Sequence, residues 1–276
     1  MDLLMIIKAL ILGLVEGLTE FAPVSSTGHM IIVDDMWLQS EKFLTQHGAN
    51  TFKIVIQLGS ILAVVVTFKD RFIDLLGLGR IKKQAASGQG RLKLTQVFVG
   101  LIPAGVLGVL FDDYIDEHLF STSTVLIGLV IGALLMILAD IMGPKQAKTQ
   151  TVDQISYGQA LTVGLFQCFS LWPGFSRSGS TISGGVLMGM SHKAAADFTF
   201  IMAVPIMAGA SFLSLLKNWE YMTIDALPIF LAGFVSAFIF ALLSIRFFLK
   251  LINRIKLLPF AIYRIVLALI LYIIFF

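Results

Sequence analysis

Two glutamates, two serine-rich turns and one arginine carry most of the reactive chemistry in this sequence, and all of them are set among apolar residues. Glu16 and Glu20 lie four positions apart, so on a helix they share one face and repel each other. A carboxylate inside a membrane is costly, and a pair of them points to function. They could hold a divalent cation such as Mg²⁺ or Ca²⁺ through oxygen ligands, or one could act as a base while the other stays close to neutral. Both assignments remain open at this level. Just beyond them runs Pro23-Val24-Ser25-Ser26-Thr27-Gly28-His29. This reads as a turn that opens a new helix, because hydroxyl residues cap helix N-termini and the free N–H groups there attract anions such as phosphate.

A second turn, Ser176-Arg177-Ser178-Gly179, repeats the design and adds a fixed cation. Arg177 is the only charged residue between Ile155 and Met190. Such a guanidinium is expensive unless it meets an anion, and its planar fork suits phosphate. A salt bridge to Glu16 or Glu20 is the competing explanation, and both hold if a substrate displaces part of that contact. Ser25, Thr27, Gly28, Ser176, Arg177, Ser178 and Gly179 are therefore the expected phosphate-binding residues. His29 falls three positions after Ser26, on the same helical face, and is a candidate proton donor. His47, His118 and His192 are expected in loops, without a part in the chemistry. The acidic run Asp112, Asp113, Asp116 and Glu117 reads as a solvated loop.

The elements that must position these residues are membrane helices. The 276 residues are 57% hydrophobic and 13% charged, with a mean hydropathy of +0.91, far from the composition of a soluble domain. A net charge of +3 is better explained by basic cytoplasmic loops than by an acidic partner, and no nucleic-acid partner is implied. No removable leader is expected. One cysteine, Cys168, excludes an internal disulfide or a cysteine metal cage and is expected to be packing. Leu94–Phe111, Leu119–Ala139, Phe198–Leu216 and Ala226–Ile245 are charge-free runs near spanning length, and Phe52–Phe68 and Leu257–Phe276 complete a set of six. Leu3–Val33 and Ile155–Ser191 each hold two shorter apolar pieces around a polar turn with Pro and Gly. Irregular backbone at membrane depth survives only inside protein or beside a water-filled cavity, so both read as re-entrant helical hairpins. The expected fold is an all-α integral membrane protein of six transmembrane helices and two re-entrant hairpins.

The hairpins resemble each other. Gly13-Leu14-Val15-Glu16 leads to Pro23 and the first turn, and Gly164-Leu165-Phe166-Gln167 leads to Pro173 and the second, with ten residues from Glu16 to Ser26 and ten from Gln167 to Arg177. Residues 1–111 then form a first repeat (hairpin 3–33) and 155–245 a second (hairpin 155–191), with 119–139 and 257–276 as additional spans. Loop charge relates the halves: Lys69–Lys93 carries seven basic and two acidic residues, and Arg246–Lys256 four basic residues and no acid. Both should be cytoplasmic, and Asp112–His118 external, which makes the repeat inverted and puts the hairpin tips near the midplane. The termini are expected outside, with the site opening to the outer face.

With these residues in place the sequence closely resembles the undecaprenyl-diphosphate phosphatases of bacteria, membrane enzymes associated with bacitracin resistance. The likeness is carried by Glu16-Gly17-Leu18-Thr19-Glu20-Phe21, the Pro23–His29 turn, Gln57-Leu58-Gly59-Ser60, Trp172-Pro173-Gly174-Phe175-Ser176-Arg177-Ser178-Gly179 and Pro259-Phe260-Ala261-Ile262-Tyr263-Arg264, spread over essentially the whole chain. The resemblance implies hydrolysis of the C55 isoprenoid diphosphate to its monophosphate in the bacterial plasma membrane, with dependence on Mg²⁺ or Ca²⁺ and a homodimer as further expectations. It also implies that Glu16 and Glu20 match that family's acidic motif, Ser26 its nucleophile and Arg177 its phosphate-binding arginine.

On the chemistry alone, Ser26 would attack the terminal phosphorus, Glu20 would take its proton, Arg177 would hold the phosphoryl oxygens and His29 would protonate a leaving or entering oxygen. Attack by water on a metal-held phosphate is the variant. The other large class of membrane lipid phosphatases needs a histidine shortly after a Ser-Arg pair, yet position 183 is serine and the first histidine after Arg177 is His192. A transporter of a polyprenyl phosphate would share the inverted repeat, but not the gathering of hydroxyl, carboxylates and arginine.

Overall fold

A computed structural model describes residues 3–78, 90–119, 121–218 and 224–276. The basic residues Arg80, Lys82 and Lys83, on which part of the loop-charge expectation rests, lie outside the described residues, as do positions 219–223 and the side chains of Asp112 and Asp116.

Among the described residues eleven α-helices follow one another: α1 (Leu3–Thr19), α2 (Ser26–Met30), α3 (Glu41–Thr67), α4 (Lys69–Leu75), α5 (Leu94–His118), α6 (Thr122–Met142), α7 (Tyr157–Gln167), α8 (Arg177–Leu187), α9 (His192–Asn218), α10 (Leu227–Ile255) and α11 (Leu258–Phe275). Six stretches of the described residues, within α3, α5, α6, α9, α10 and α11, are long and apolar enough to cross a membrane. They coincide with the six apolar runs of the sequence. The protein is an all-helical, multi-pass membrane protein.

The helices overrun the apolar runs at their ends. α5 continues through a break at Phe111 (φ −118°, ψ 15°) as far as His118, so the acidic run is helix and not loop. The three histidines expected in loops are also helical: His47 lies in α3, His118 ends α5 and His192 opens α9. Hydropathy marks where a helix leaves apolar surroundings, whereas backbone hydrogen bonding and caps decide where it stops. Ser191 shows this, its Oγ accepting from the Ala194 N–H at 3.1 Å ahead of α9. His192 also has a partner, its Nε2 lying 2.7 Å from Asp140 Oδ1, while Asp140 Oδ2 accepts from the N–H groups of Leu257 and Leu258. One carboxylate thus ties the ends of α6, α9 and α11 together. Cys168 sits in the 3₁₀ turn after α7, its thiol 3.5 Å from the Gly164 carbonyl.

The two hairpin regions are alike in their packing. α1 runs along α10 and α7 along α5. A Cβ on Gly13 would run into the Gly233 carbonyl, and one on the matching Gly164 into the Gly100 carbonyl. Small residues at such crossings let backbones approach where no hydrophobic drive separates lipid from protein. Serine hydroxyls add to the first crossing, Ser236 donating to Leu10 O at 2.7 Å and Ser244 to Leu18 O at 2.9 Å. The second arm of the first hairpin outruns the expected end at Val33, because α2 passes directly into a π-helical stretch, Ile31–Leu38. Asp34 holds that extension. It is buried, accepts from the Ser40 N–H and hydroxyl at 2.8 and 2.7 Å, and pairs with Lys53 at 2.9 Å.

Candidate active site

Both turns end in a serine that caps a helix from an unusual backbone conformation. Ser25 precedes α2 with φ 71°, ψ 97°, and Ser176 precedes α8 with φ 71°, ψ 115°. Each hydroxyl accepts from the N–H three residues on, Gly28 at 3.4 Å and Gly179 at 3.2 Å. Positive φ on a residue with a Cβ costs on the order of 1–3 kcal/mol and persists where surroundings enforce it, often at functional sites. The same geometry at Ser25 and Ser176 makes Ser26 and Arg177 the first helical residues of matching helices, in line with the ten-residue spacing.

The turns meet tip to tip. Ser178 Oγ donates to the Ala22 carbonyl at 3.1 Å, and its hydroxyl lies 3.3 Å from that of Ser176. Phe21 is fully buried beneath them, edge-on to Phe200 with centroids 5.3 Å apart, and its ring lies 5.7 Å from the Arg177 guanidinium carbon. Thr27 stands half-buried in the first turn of α2, and Gly28 packs against Leu129 and Leu267.

Glu20 joins the hairpins. Its Oε2 accepts the Ser26 hydroxyl at 2.7 Å and its Oε1 accepts from one terminal nitrogen of Arg177 at 2.9 Å. The Arg177 and Glu20 side chains are only 13% and 8% exposed, so this charge-assisted contact is little screened by solvent. Both readings of Arg177 therefore bear on one side chain: it pairs with Glu20, yet its other terminal nitrogen is buried with no hydrogen-bond partner among the described residues. Glu16 is also buried, and its Oε1 has no partner. Buried polar atoms are normally satisfied. A free donor and a free acceptor at one site leave room for a ligand that supplies both.

His29 has its hydrogen bonds outside this set. Its Nδ1 lies 2.8 Å from the Ser25 carbonyl and its Nε2 2.6 Å from the Tyr263 hydroxyl of α11. The shared face with Ser26 does not translate into a direct bond to the reacting groups, because the capping turn and α11 claim both ring nitrogens. Tyr263 escaped the sequence reading, although it stands in the Pro259–Arg264 segment. So did Arg264, which is 0% exposed and, among the described residues, donates to the carbonyls of Gly128 (3.2 Å) and Gly174 (2.9 Å) and to the Met136 sulfur (3.4 Å), with its Nε unpaired. A lone arginine inside an apolar span is the signal that could have found it. Through Gly174 it braces the turn that carries Arg177.

Beside the turns lies an apolar groove of about 580 Å³ between α1, α10 and α11, lined by Leu18, Val24, Phe247 and Phe260 among others and bordered by His29 and Tyr263. A buried polar cluster on one turn, with an apolar groove lined by residues of the same turn, defines a membrane protein that acts on the charged end of a lipid. Residues 9–270 match the family described as bacitracin resistance protein BacA, and the chain belongs to that family. It is 78% identical over the full length of both chains to an undecaprenyl-diphosphatase of Geobacillus sp. (strain WCH70). An undecaprenyl-diphosphatase of Geobacillus thermodenitrificans shares 71% over the same coverage, and one of Bacillus subtilis 63% over 95% of each chain.

Proposed function

We propose that the protein hydrolyses undecaprenyl diphosphate to undecaprenyl phosphate and inorganic phosphate, returning the lipid carrier to the synthesis of peptidoglycan and other wall polymers. One observation carries the chemistry: Glu20 holds the Ser26 hydroxyl with one oxygen and Arg177 with the other. Glu20 takes the hydroxyl proton as Ser26 Oγ attacks the terminal phosphorus, and the bond to the bridging oxygen breaks on the opposite side. The unpartnered Arg177 nitrogen and the N-terminal N–H groups of α8 balance charge on the phosphoryl oxygens. Water then cleaves the phosphoserine, with Glu20 returning the proton to Ser26. The groove takes the head-proximal part of the isoprenoid chain. A transporter has no need of a hydroxyl held to a carboxylate, and the relatives are named as diphosphatases.

A divalent ion fits one side of this site. Both Glu20 oxygens are engaged, so Glu16 Oε1 is the carboxylate oxygen with free capacity, and among the described residues no group of three His, Cys, Asp or Glu gathers around it. Mg²⁺ commonly binds through one or two carboxylates together with substrate phosphates, and an ion carried on the diphosphate would complete its shell there. When bound it would offset phosphate charge. Purified protein in detergent should release one phosphate per lipid monophosphate formed, and Glu16→Gln should weaken the response to added Mg²⁺ or Ca²⁺. No release from the lipid diphosphate would defeat the assignment, and full activity after exhaustive chelation would remove the metal alone.

The site opens to the outer face of the bacterial plasma membrane, with 1–111 and 155–245 as inverted repeats whose hairpins re-enter from opposite sides; matched caps and matched crossings at Gly13 and Gly164 support the repeat, and loop charge supports the orientation. A homodimer is compatible with it. In intact cells, single cysteines at Gln84 and Asn253 should resist labelling from outside. Labelling of both would collapse the inverted arrangement.

A further inference from the structure

We propose that Tyr263 is a further catalytic residue, coupled to His29 so that its hydroxyl delivers a proton to the oxygen that leaves with the lipid; this rests on the Ser26 reading above. The Ser25 carbonyl can only accept a hydrogen bond, so its 2.8 Å contact places a hydrogen on His29 Nδ1 whatever the charge of the ring. Nε2 is consequently the working nitrogen, and it lies 2.6 Å from the Tyr263 hydroxyl. The two rings stand nearly parallel, with centroids 5.6 Å apart. That contact joins the first turn to α11, and both residues border the apolar groove.

The groove's other hydroxyls have their hydrogens committed elsewhere. Thr19 donates to the Val15 carbonyl at 2.7 Å and Ser244 to the Leu18 carbonyl at 2.9 Å. A diphosphate whose lipid chain enters the groove therefore meets Tyr263 and His29 as its polar border. With the ring neutral, the Tyr263 hydrogen points to Nε2. With Nε2 protonated, that nitrogen donates to the Tyr263 oxygen, and the hydroxyl hydrogen is free to turn to the bridging oxygen. As the P–O bond breaks, the Tyr263 O–H proton passes to the departing oxygen and the Nε2 proton passes to the Tyr263 oxygen. Tyrosine ends neutral, the imidazole ends neutral, and the lipid monophosphate leaves with the proton. A proton from solvent, matching the one the released inorganic phosphate gives up to it, restores the imidazolium before the next turnover.

Tyr263→Phe keeps the ring and the groove while removing only the hydroxyl. Purified variants that elute from gel filtration like the parent are compared on undecaprenyl diphosphate. Tyr263→Phe should lower kcat by roughly 100-fold or more with KM within about twofold, on the scale of general acid catalysis. His29→Gln should lose a similar factor, and the double variant should be no slower than the worse single one, because the two residues act as one unit. An unchanged kcat in Tyr263→Phe, a loss confined to KM, or losses that multiply in the double variant would each overturn the relay. Ser26→Ala measured alongside keeps the cases apart: its turnover reports on the nucleophile, and the coupling of Tyr263 with His29 reports on the relay.

Discussion

Ser26→Ala should lose at least about 10³-fold in phosphate release, the scale seen when a nucleophile is removed from a site whose charge-stabilising groups remain. The reason lies in what the substitution leaves behind. Ser26 is the first residue of α2 and does not cap it, since that bond is made by Ser25 to the Gly28 N–H. Alanine is well tolerated inside a helix, so the turn and the meeting of Ser178 with Ala22 should survive. Glu20 would still hold Arg177 through Oε1, and lipid binding should stay within a few-fold of the parent. Ser25→Ala would behave in the opposite way, losing the cap and disturbing the turn whose carbonyl orients His29. The pair is read by following phosphate release and lipid binding in parallel on detergent-purified protein. Near-normal turnover by Ser26→Ala would reject the serine nucleophile and favour attack by water.

Much of this arrangement was legible in the sequence because membrane insertion makes polar residues expensive. Glu16, Glu20 and Arg177 stood out against apolar surroundings, and the structure brings Ser26, Glu20 and Arg177 into one hydrogen-bonded set. Six spans could be read because apolar runs must reach a minimum length in a bilayer. Helix ends were less legible. The 112–118 segment looked like a loop because charge reports the surroundings of a helix and not its hydrogen bonding. Contacts made at long range in sequence were hidden altogether. Tyr263 is 234 residues from His29, and nothing in the local pattern of α11 says which of its residues turns toward α2.

The same limit explains why Arg264 and Arg177, both isolated arginines, have different consequences. Arg264 directs one terminal nitrogen to the backbone carbonyls of Gly128 and Gly174, and so sets the shape of a turn. Arg177 has one nitrogen on a carboxylate and the other free. A cation seated on backbone carbonyls braces them; one paired with a carboxylate, with a second nitrogen unpaired beside the unsatisfied Glu16 oxygen, can bind an anion. α11 supplies the brace to the second turn through Arg264 and, one residue earlier, a hydroxyl to the first turn through Tyr263. This single helix therefore sets the relative placement of the two halves of the site.

Arg177→Lys should fail almost as badly as removal of the side chain, with kcat/KM down by about 10²-fold or more. Charge is conserved in this change, so the prediction turns on geometry. The guanidinium is planar, and its two terminal nitrogens point in fixed, divergent directions: one reaches Glu20 Oε1 at 2.9 Å while the other stays unpaired. An ammonium is a single point on a shorter reach. With Glu20 only 8% exposed, the nearest favourable position for that point is against the carboxylate, which leaves the phosphoryl oxygens without their partner and draws charge from the base that must accept the Ser26 proton. The loss should appear in both kcat and KM, because the free nitrogen meets the phosphate in the ground state and more strongly in the transition state. Arg177→Ala supplies the contrast. It leaves a cavity of the right shape, and added guanidinium should restore part of its turnover, whereas the lysine variant, with its ammonium already seated on Glu20, should not respond. Turnover by Arg177→Lys within about threefold of the parent would show that positive charge alone suffices and that the fork has no part in holding the phosphoryl group.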